Sequence, residues 1–259
     1  MGEVLCGVNS VREALQAAAR RVERLWIAER REGKRIAELL ALAAARRVQI
    51  EIVLEPRLTQ AARTPDHQGV VAFLESSPLR SLEDLVAQAQ AQQPVAPLVV
   101  LDGLKDPRNL GAIIRSAAAF GIKGIILRRW RAVGLTATVT KVAAGGMEYV
   151  AVAEVPNIPQ SIQRLKRAGF WIVGADERGE ESCDTFTFPS PLALILGEEG
   201  RGLSSLVRRH CDVQVRVPLR GALRSLNVAV AAAILIYEVM RQQGPHTYSP
   251  AVPGLPIFL

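Results

Sequence analysis

Apolar positions along the first part of the chain change their period several times. Val8, Val11, Leu15 and Ala18 recur at helical spacing, which predicts an amphipathic helix over residues 8–19, with Ser10 as its N-cap and Glu13 completing a capping box. Residues 24–28, RLWIA, then read as a strand, residues 35–46 as a basic helix and residues 48–54 as a second strand. The segment HQGVVAFLE, residues 67–75, reads as a loop entering a further strand. Strands alternating with helices over this length predict a compact α/β unit spanning residues 1–76. Residues 77–97 have the composition of a linker, with a polar helical stretch, LEDLVAQAQAQQ, closed off by Pro94 and Pro97.

The pattern changes again at residue 98. LVVLD, residues 98–102, is apolar up to its final aspartate, as expected of a strand buried on both faces of a parallel sheet. Residues 122–127, 170–175, 192–196 and 213–217 read as further strands, with helices between them. A second, larger α/β unit is therefore expected over residues 98–243. Four prolines make the remaining tail, residues 244–259, irregular.

Composition narrows the class of partner. The chain has 259 residues and a net charge of +7, which suits a polyanion better than a neutral small molecule. Residues 1–97 carry 13 Lys and Arg against 12 Asp and Glu, and the rest carry 19 against 13, so the positive excess belongs to the second unit. Cys6, Cys183 and Cys211 are scattered, without the close pairing of zinc or redox motifs, so a reduced, cytoplasmic setting and no metal are expected. No uncharged run approaches the roughly 18 residues of a membrane span, and the amino end lacks an export signal. We expect a soluble protein.

Three loops at the ends of apolar strands could carry chemistry. The first, LDGLKDPRNLGAIIRSAAAFG, leads from a strand into a helix beginning near Leu110; Asn109 reads as a cap and Arg115 as a solvated side chain if each is taken alone. The second, LILGEEGRGLSS, follows a buried strand with a glycine-rich turn. Its spacing is neither GxGxxG nor a P-loop, and Glu198 and Glu199 are ill suited to phosphates. The third, VPLRGALRSLNVAVAAAILIYEVMR, carries Arg220 and Arg224 and then a very apolar helix through Ile236, for which Ser225 could serve as cap. A helix so uniformly apolar is expected to be buried, in part against a second subunit. Asn227, in its first turn, has no evident structural purpose.

Taken in order, these loops resemble the three signature motifs of the SpoU (TrmH) family of RNA ribose 2′-O-methyltransferases. Asp106, Pro107, Asn109, Gly111 and Arg115 correspond to the first motif, and Leu196, Gly197, Glu199 and Gly200 to the second. Pro218, Gly221, Ser225, Leu226 and Asn227 correspond to the third, with Leu219 where many members carry Met. GVNSVREAL and HQGVVAFLE resemble the small ribosomal-protein-like RNA-binding domain that precedes the catalytic domain in many members. The branch most similar is the bacterial one that methylates a guanosine of large-subunit ribosomal RNA.

The resemblance implies an α/β fold in which the RNA-binding domain is followed by a parallel-sheet methyltransferase domain of the SPOUT type, closed by a trefoil knot. It also implies a homodimer, an RNA substrate and S-adenosylmethionine as methyl donor. Leu196, Gly197, Val217, Leu219 and Leu226 are then the candidate cofactor contacts, and Asn109, Arg115, Glu199, Ser225 and Asn227 the candidate catalytic residues. Arg115 is the family's proton-handling residue, yet a guanidinium offers donors and no acceptor. We therefore expect it to clamp the phosphate beside the target ribose and to stabilise the developing alkoxide, with Glu199 as the alternative proton acceptor. Asn109, Ser225 and Asn227 would orient the ribose or the loops, with Asn109 reaching the active site of the other subunit. A transfer-RNA ribose methyltransferase and a catalytically inert RNA-binding or ribosome-assembly protein are the competing readings.

Overall fold

The structure, a computed structural model, describes residues 3–17, 21–75, 79–130, 132–222 and 225–243. The expected tail, the end of the first expected helix and Arg224 lie outside the described residues.

The amino-terminal unit runs β1 (Glu3–Cys6), α1 (Val8–Ala17), β2 (Val22–Ala28), α2 (Lys34–Ala45), β3 (Gln49–Val53), α3 (Glu55–Ala62) and β4 (Val70–Leu74). Its sheet has the order β1-β4-β2-β3, with only β2 and β3 parallel. Alternate residues of each strand face opposite ways. Leu25, Ile27, Val70 and Ala72 therefore pack with α1 and α2 on one face, while Trp26, Ala28 and Val71 pack with Leu58 and Ala62 of α3 on the other.

The first helix corrects the expected cap. It begins at Val8, so Ser10 is buried within it. The orphan N–H of Val8 is taken by the side-chain oxygen of Gln68, at 3.1 Å, a residue 60 positions away. Glu13 is likewise used elsewhere, accepting the Tyr149 hydroxyl at 2.9 Å.

The second unit contains α4 (Leu82–Gln90), β5 (Leu98–Leu101), α5 (Pro107–Phe120), β6 (Gly124–Arg128), α6 (Ala137–Ala143) and β7 (Ala151–Val155). It continues with α7 (Ile158–Arg167), β8 (Trp171–Ala175), β9 (Glu181–Ser182), β10 (Leu192–Leu196), α8 (Ser205–His210), β11 (Val213–Arg216) and α9 (Val228–Gln242). All seven strands are parallel, in the order β7-β6-β5-β10-β8-β11-β9. The strands are covered on both faces, as their continuous hydrophobicity predicts. Val99, Leu101, Ile125, Leu194 and Leu196 meet α5 and α9; Leu98, Val100, Ile126, Ala193 and Ile195 meet α4, α7 and α8.

The segment read as a linker is in fact part of this packing. Ser81 and Asp84 form a reciprocal capping box, and Leu82, Leu85 and Ala89 of α4 are buried against Leu98, Val100 and Ile126. The helical stretch expected there is present, and its polar composition conceals only its packing role, because one narrow stripe suffices to cover the sheet. Asn227, not Ser225, caps α9, its side-chain oxygen accepting from the N–H of Ala229 at 2.9 Å. Among the described residues no helix is long and apolar enough to cross a membrane.

The two units touch where Gly145 meets Glu13. A Cβ at Gly145 would lie 2.3 Å from the Cβ of Glu13, and Lys141 of α6 pairs with Asp66 at 2.6 Å nearby. Burial and the bond to Glu13 push the Tyr149 hydroxyl up to about 12, so it remains a donor across this contact. Beside it opens a crevice of about 690 Å³, lined by Arg63 and Thr64 from the first unit and by Arg108, Asn109, Lys141 and Asn227 from the second.

Candidate active site

Strand order reverses between β5 and β10. The chain proceeds outward from β5 to β6 and β7, then returns to build the other half of the sheet, with β10 beside β5. The crevice outside the carboxyl ends of two such strands is where open α/β sheets place their ligands. The N–H of Asp102 reaches back to the carbonyl of Leu196 at 2.8 Å, and buried Asp102 accepts the N–H of Ser204 at 3.0 Å. Both motif loops are thereby tied at their bases.

The first loop turns into α5 at Asp106, whose carboxylate accepts the N–H of Arg108 at 2.8 Å, with Pro107 at the helix start. This places Asn109 in the first turn rather than at the cap, with its side chain buried. The second loop is a tight turn in which Glu198 and Gly202 exchange backbone hydrogen bonds of 3.0 and 2.8 Å. Gly200 takes φ +78 inside it, in open space. Gly197 is needed for a different reason: a Cβ there would lie 2.1 Å from the Gly202 carbonyl carbon.

Three of the candidate catalytic residues meet. Asn109 donates from Nδ2 to Glu199 Oε2 at 2.9 Å, and Asn227 donates from Nδ2 to Glu199 Oε1 at 3.2 Å and to Asn109 Oδ1 at 3.0 Å. A carboxylate only accepts, so both amide nitrogens must face it, and that settles the orientation of the two Asn side chains. Asn227 thus acquires the purpose that local sequence did not reveal. Its oxygen caps α9 while its nitrogen closes the triangle. Beside it Lys105 pairs with Glu198, and Leu104, Lys105, Asp106, Asn109, Glu198 and Glu199 enclose a cleft of about 240 Å³.

The other candidates are distributed along the same sheet edge. Leu196 and Gly197 are buried at the end of β10; Val217 is half-buried after β11; Leu219 is exposed; Leu226 is half-buried just before α9. Ser225 is exposed and makes no hydrogen bond to the triangle. Arg115 lies six residues past Asn109 on α5, about 9 Å along the helix axis. It is exposed and makes no bond to Asn109, Glu199 or Asn227.

Asp176 escaped the sequence reading. It is buried at the end of β8, 2.7 Å from a guanidinium nitrogen of Arg208, and accepts the N–H of Arg178 at 3.0 Å. The available signal was a carboxylate directly following an apolar strand, the arrangement also seen at Asp102. The cysteines offer no activated nucleophile: burial pushes the Cys211 thiol up to about 12 and raises Cys6 and Cys183 as well.

Comparison with known proteins follows the same division of the chain. Residues 96–237 match the SpoU rRNA Methylase family, and residues 4–79 match the family described as RNA 2′-O ribose methyltransferase substrate binding. A Bacillus subtilis protein assigned to the TrmH family of tRNA/rRNA methyltransferases, YacO, is 37% identical over 243 residues, covering 94% of this chain and 97% of its own. The 23S rRNA (guanosine-2′-O-)-methyltransferase RlmB of Shewanella oneidensis is 36% identical over 243 residues, covering 93% and 98%. Among solved structures, the SpoU methyltransferase AviRb from Streptomyces viridochromogenes, in complex with AdoMet, superposes with a TM-score of 0.74 at 26% identity, covering 92% of this chain and 89% of that one. With three motif loops gathered on one sheet edge and both units matched, the chain belongs to the SpoU rRNA methylase family.

Proposed function

We propose that this chain, in the cytoplasm, transfers the methyl group of S-adenosylmethionine to the ribose 2′-hydroxyl of a guanosine in large-subunit ribosomal RNA. The observation that carries the proposal is the Asn109–Glu199–Asn227 triangle at the switch point of the sheet. It assembles one residue from each motif around a carboxylate.

The loops suit this cofactor. Glu198 and Glu199 would repel a phosphate but favour a sulfonium cation, and Leu196, Val217 and Leu226 supply apolar surface at the same edge. Leu196, Gly197, Val217, Leu219 and Leu226 would hold it, largely through backbone groups. When bound, it supplies an electrophilic methyl group on sulfur. Glu199 accepts one amide N–H at each oxygen and retains lone pairs, so Asn109 and Asn227 hold it in one orientation to take or share the ribose proton. Ser225 would help orient the ribose. The amino-terminal unit, residues 1–76, would bind the RNA, and the return of the chain from β11 to α9 is where the family's trefoil knot would lie.

Arg115 is assigned to the site of a second copy. On α5 it shares an exposed face with Arg108 and Ala119, seven residues before and four after it. The neighbouring helix α9 exposes Val230, Ile234 and Tyr237, 48%, 38% and 47% accessible, at the same helical spacing. An apolar stripe beside a basic one is the surface of a homodimer in which Arg115 approaches the partner's site. Asn109 is satisfied within its own chain, which leaves no need for it to cross. Ile234→Asp would bury a charge in that interface and weaken the dimer by about 3 kcal/mol, two orders of magnitude in affinity. Light scattering on the variant is expected to show monomer at micromolar concentration, and an unchanged dimer would refute the placement.

Methylation of total RNA with radiolabelled S-adenosylmethionine tests the main proposal. Label is expected at one 2′-O-methylguanosine of large-subunit ribosomal RNA. Label in transfer RNA would select the alternative substrate, and label in a base, in protein or nowhere would reject ribose methylation.

A further inference from the structure

β6 ends at Arg128, on the same edge of the sheet as the active-site loops, and is followed by Arg129 and Trp130. All three side chains are exposed, Trp130 to 60%. Trp130 belongs to none of the four hydrophobic clusters of the described residues. One exposed aromatic side chain is ordinary by itself, and Trp171 is exposed to 52% as well. Neighbouring charge changes the character of Trp130: the Arg129 guanidinium lies 5.8 Å from the ring centroid, and exposed Arg128, two residues earlier in the chain, is a second cation of the same segment.

This loop is braced. The N–H of Arg129 bonds to the carbonyl of Val155 at 2.8 Å, and the N–H of Val133 bonds to the carbonyl of Leu104 at 2.8 Å. Leu104 itself lines the cleft with Asn109 and Glu199. Trp130 is thus presented on a support fastened directly to the active-site loop, with exposed Lys105 on the cleft's rim.

We infer that Trp130 is a stacking platform for an unpaired base of the substrate RNA close to the methylated nucleotide, with Arg128 and Arg129 held for its phosphates. The inference rests on the RNA reading above. Positive charge around an aromatic face matches a ligand that carries both anionic groups and π surfaces. Single-stranded RNA offers both, whereas a duplex keeps its base faces stacked internally. The chemistry also asks for such a platform: bringing one ribose into a cleft unstacks its nucleotide, and the neighbouring base loses a stacking partner that Trp130 replaces.

Fluorescence anisotropy of the full chain with a labelled twelve-nucleotide oligoadenylate, and with a labelled RNA hairpin duplex, provides the test. Trp130→Ala is expected to weaken oligoadenylate binding about tenfold and hairpin binding less than about twofold, while Trp130→Phe retains most of the affinity. A combined Arg128→Ala and Arg129→Ala variant is expected to weaken both ligands and to flatten the salt dependence for oligoadenylate by about 1.4 in logarithmic slope, about 0.7 per lost phosphate contact. Wild-type affinity in Trp130→Ala, equal loss on the duplex, or no oligoadenylate binding by the unaltered chain would each overturn the inference. The methylation of total RNA is read separately, so failure of the platform and failure of the enzymatic reading are distinguished. Melting curves confirm that each variant is folded.

Discussion

If the proposed homodimer forms, heterodimers of an Arg115→Ala chain with a Glu199→Ala chain are expected to methylate RNA at about half the rate of the unaltered pair, with both variant homodimers inactive. Glu199 is held by Asn109 and Asn227 of its own chain, while Arg115 is exposed on α5 and bonds to none of the three. Loss of a positioned proton acceptor costs about 10²–10⁴ in rate. Loss of a preorganised cation at the developing alkoxide costs about 10²–10³. If Arg115 serves the partner's site, the heterodimer contains one site with both lesions and one with neither. If it serves its own site, each site carries one lesion and activity stays at the level of the parents. Co-expression with two affinity tags, followed by single-turnover measurement at saturating RNA, separates these outcomes; parental activity in the heterodimer would reject action across the interface.

Gly197→Ala is expected to be the most damaging single-methyl change in the chain. The new Cβ would lie 2.1 Å from the carbonyl carbon and 2.2 Å from the carbonyl oxygen of Gly202, and 2.4 Å from the Leu203 nitrogen. All three are backbone atoms, so no side chain can rotate away. Relief requires breaking the Glu198–Gly202 pair or shifting Leu203, which is 3% exposed, together with the Ser204 N–H that binds Asp102. We expect a loss of about 3 kcal/mol, which for a chain of this size lowers Tm by about 10 °C. We also expect the stabilisation conferred by S-adenosylmethionine to disappear. Gly200→Ala is the control. It meets no atom within 4 Å and carries only the strain of φ +78, about 1–2 kcal/mol. Calorimetry finding cofactor binding intact in Gly197→Ala would show that the turn tolerates the shift.

The alternation of buried strands and amphipathic helices was legible because it is written locally. Residues 98–101 and 192–196 are apolar without interruption, and the structure buries every one of them. What escaped depends on partners distant in sequence. The start of α1 depends on Gln68 and the purpose of Asn227 on Glu199, 28 residues before it, and on Asn109, 118 before it. β9 is two residues long and exists only through its pairing with β11. At the site, Asn109, Glu199 and Asn227 were named from their motifs, but nothing in local propensity distinguishes a cap from a ligand holder. Their convergence required the strand order of the sheet, which periodicity does not encode. Arg115 illustrates the converse: its motif marks it, while within its own chain it bonds to no member of the triangle.

The helix α4 carries one more consequence. It falls between the two regions of family similarity, residues 4–79 and 96–237, yet Leu82, Leu85 and Ala89 cover the face of the sheet formed by Leu98, Val100 and Ile126. Many apolar side chains can seal a flat surface equally well, so such a cover asks only for an apolar stripe, whereas motif loops must keep particular atoms in particular places. The stretch that packs on this sheet therefore begins at Leu82, more than a dozen residues before the family match at residue 96, and a fragment cut at that limit would leave the sheet face open to water.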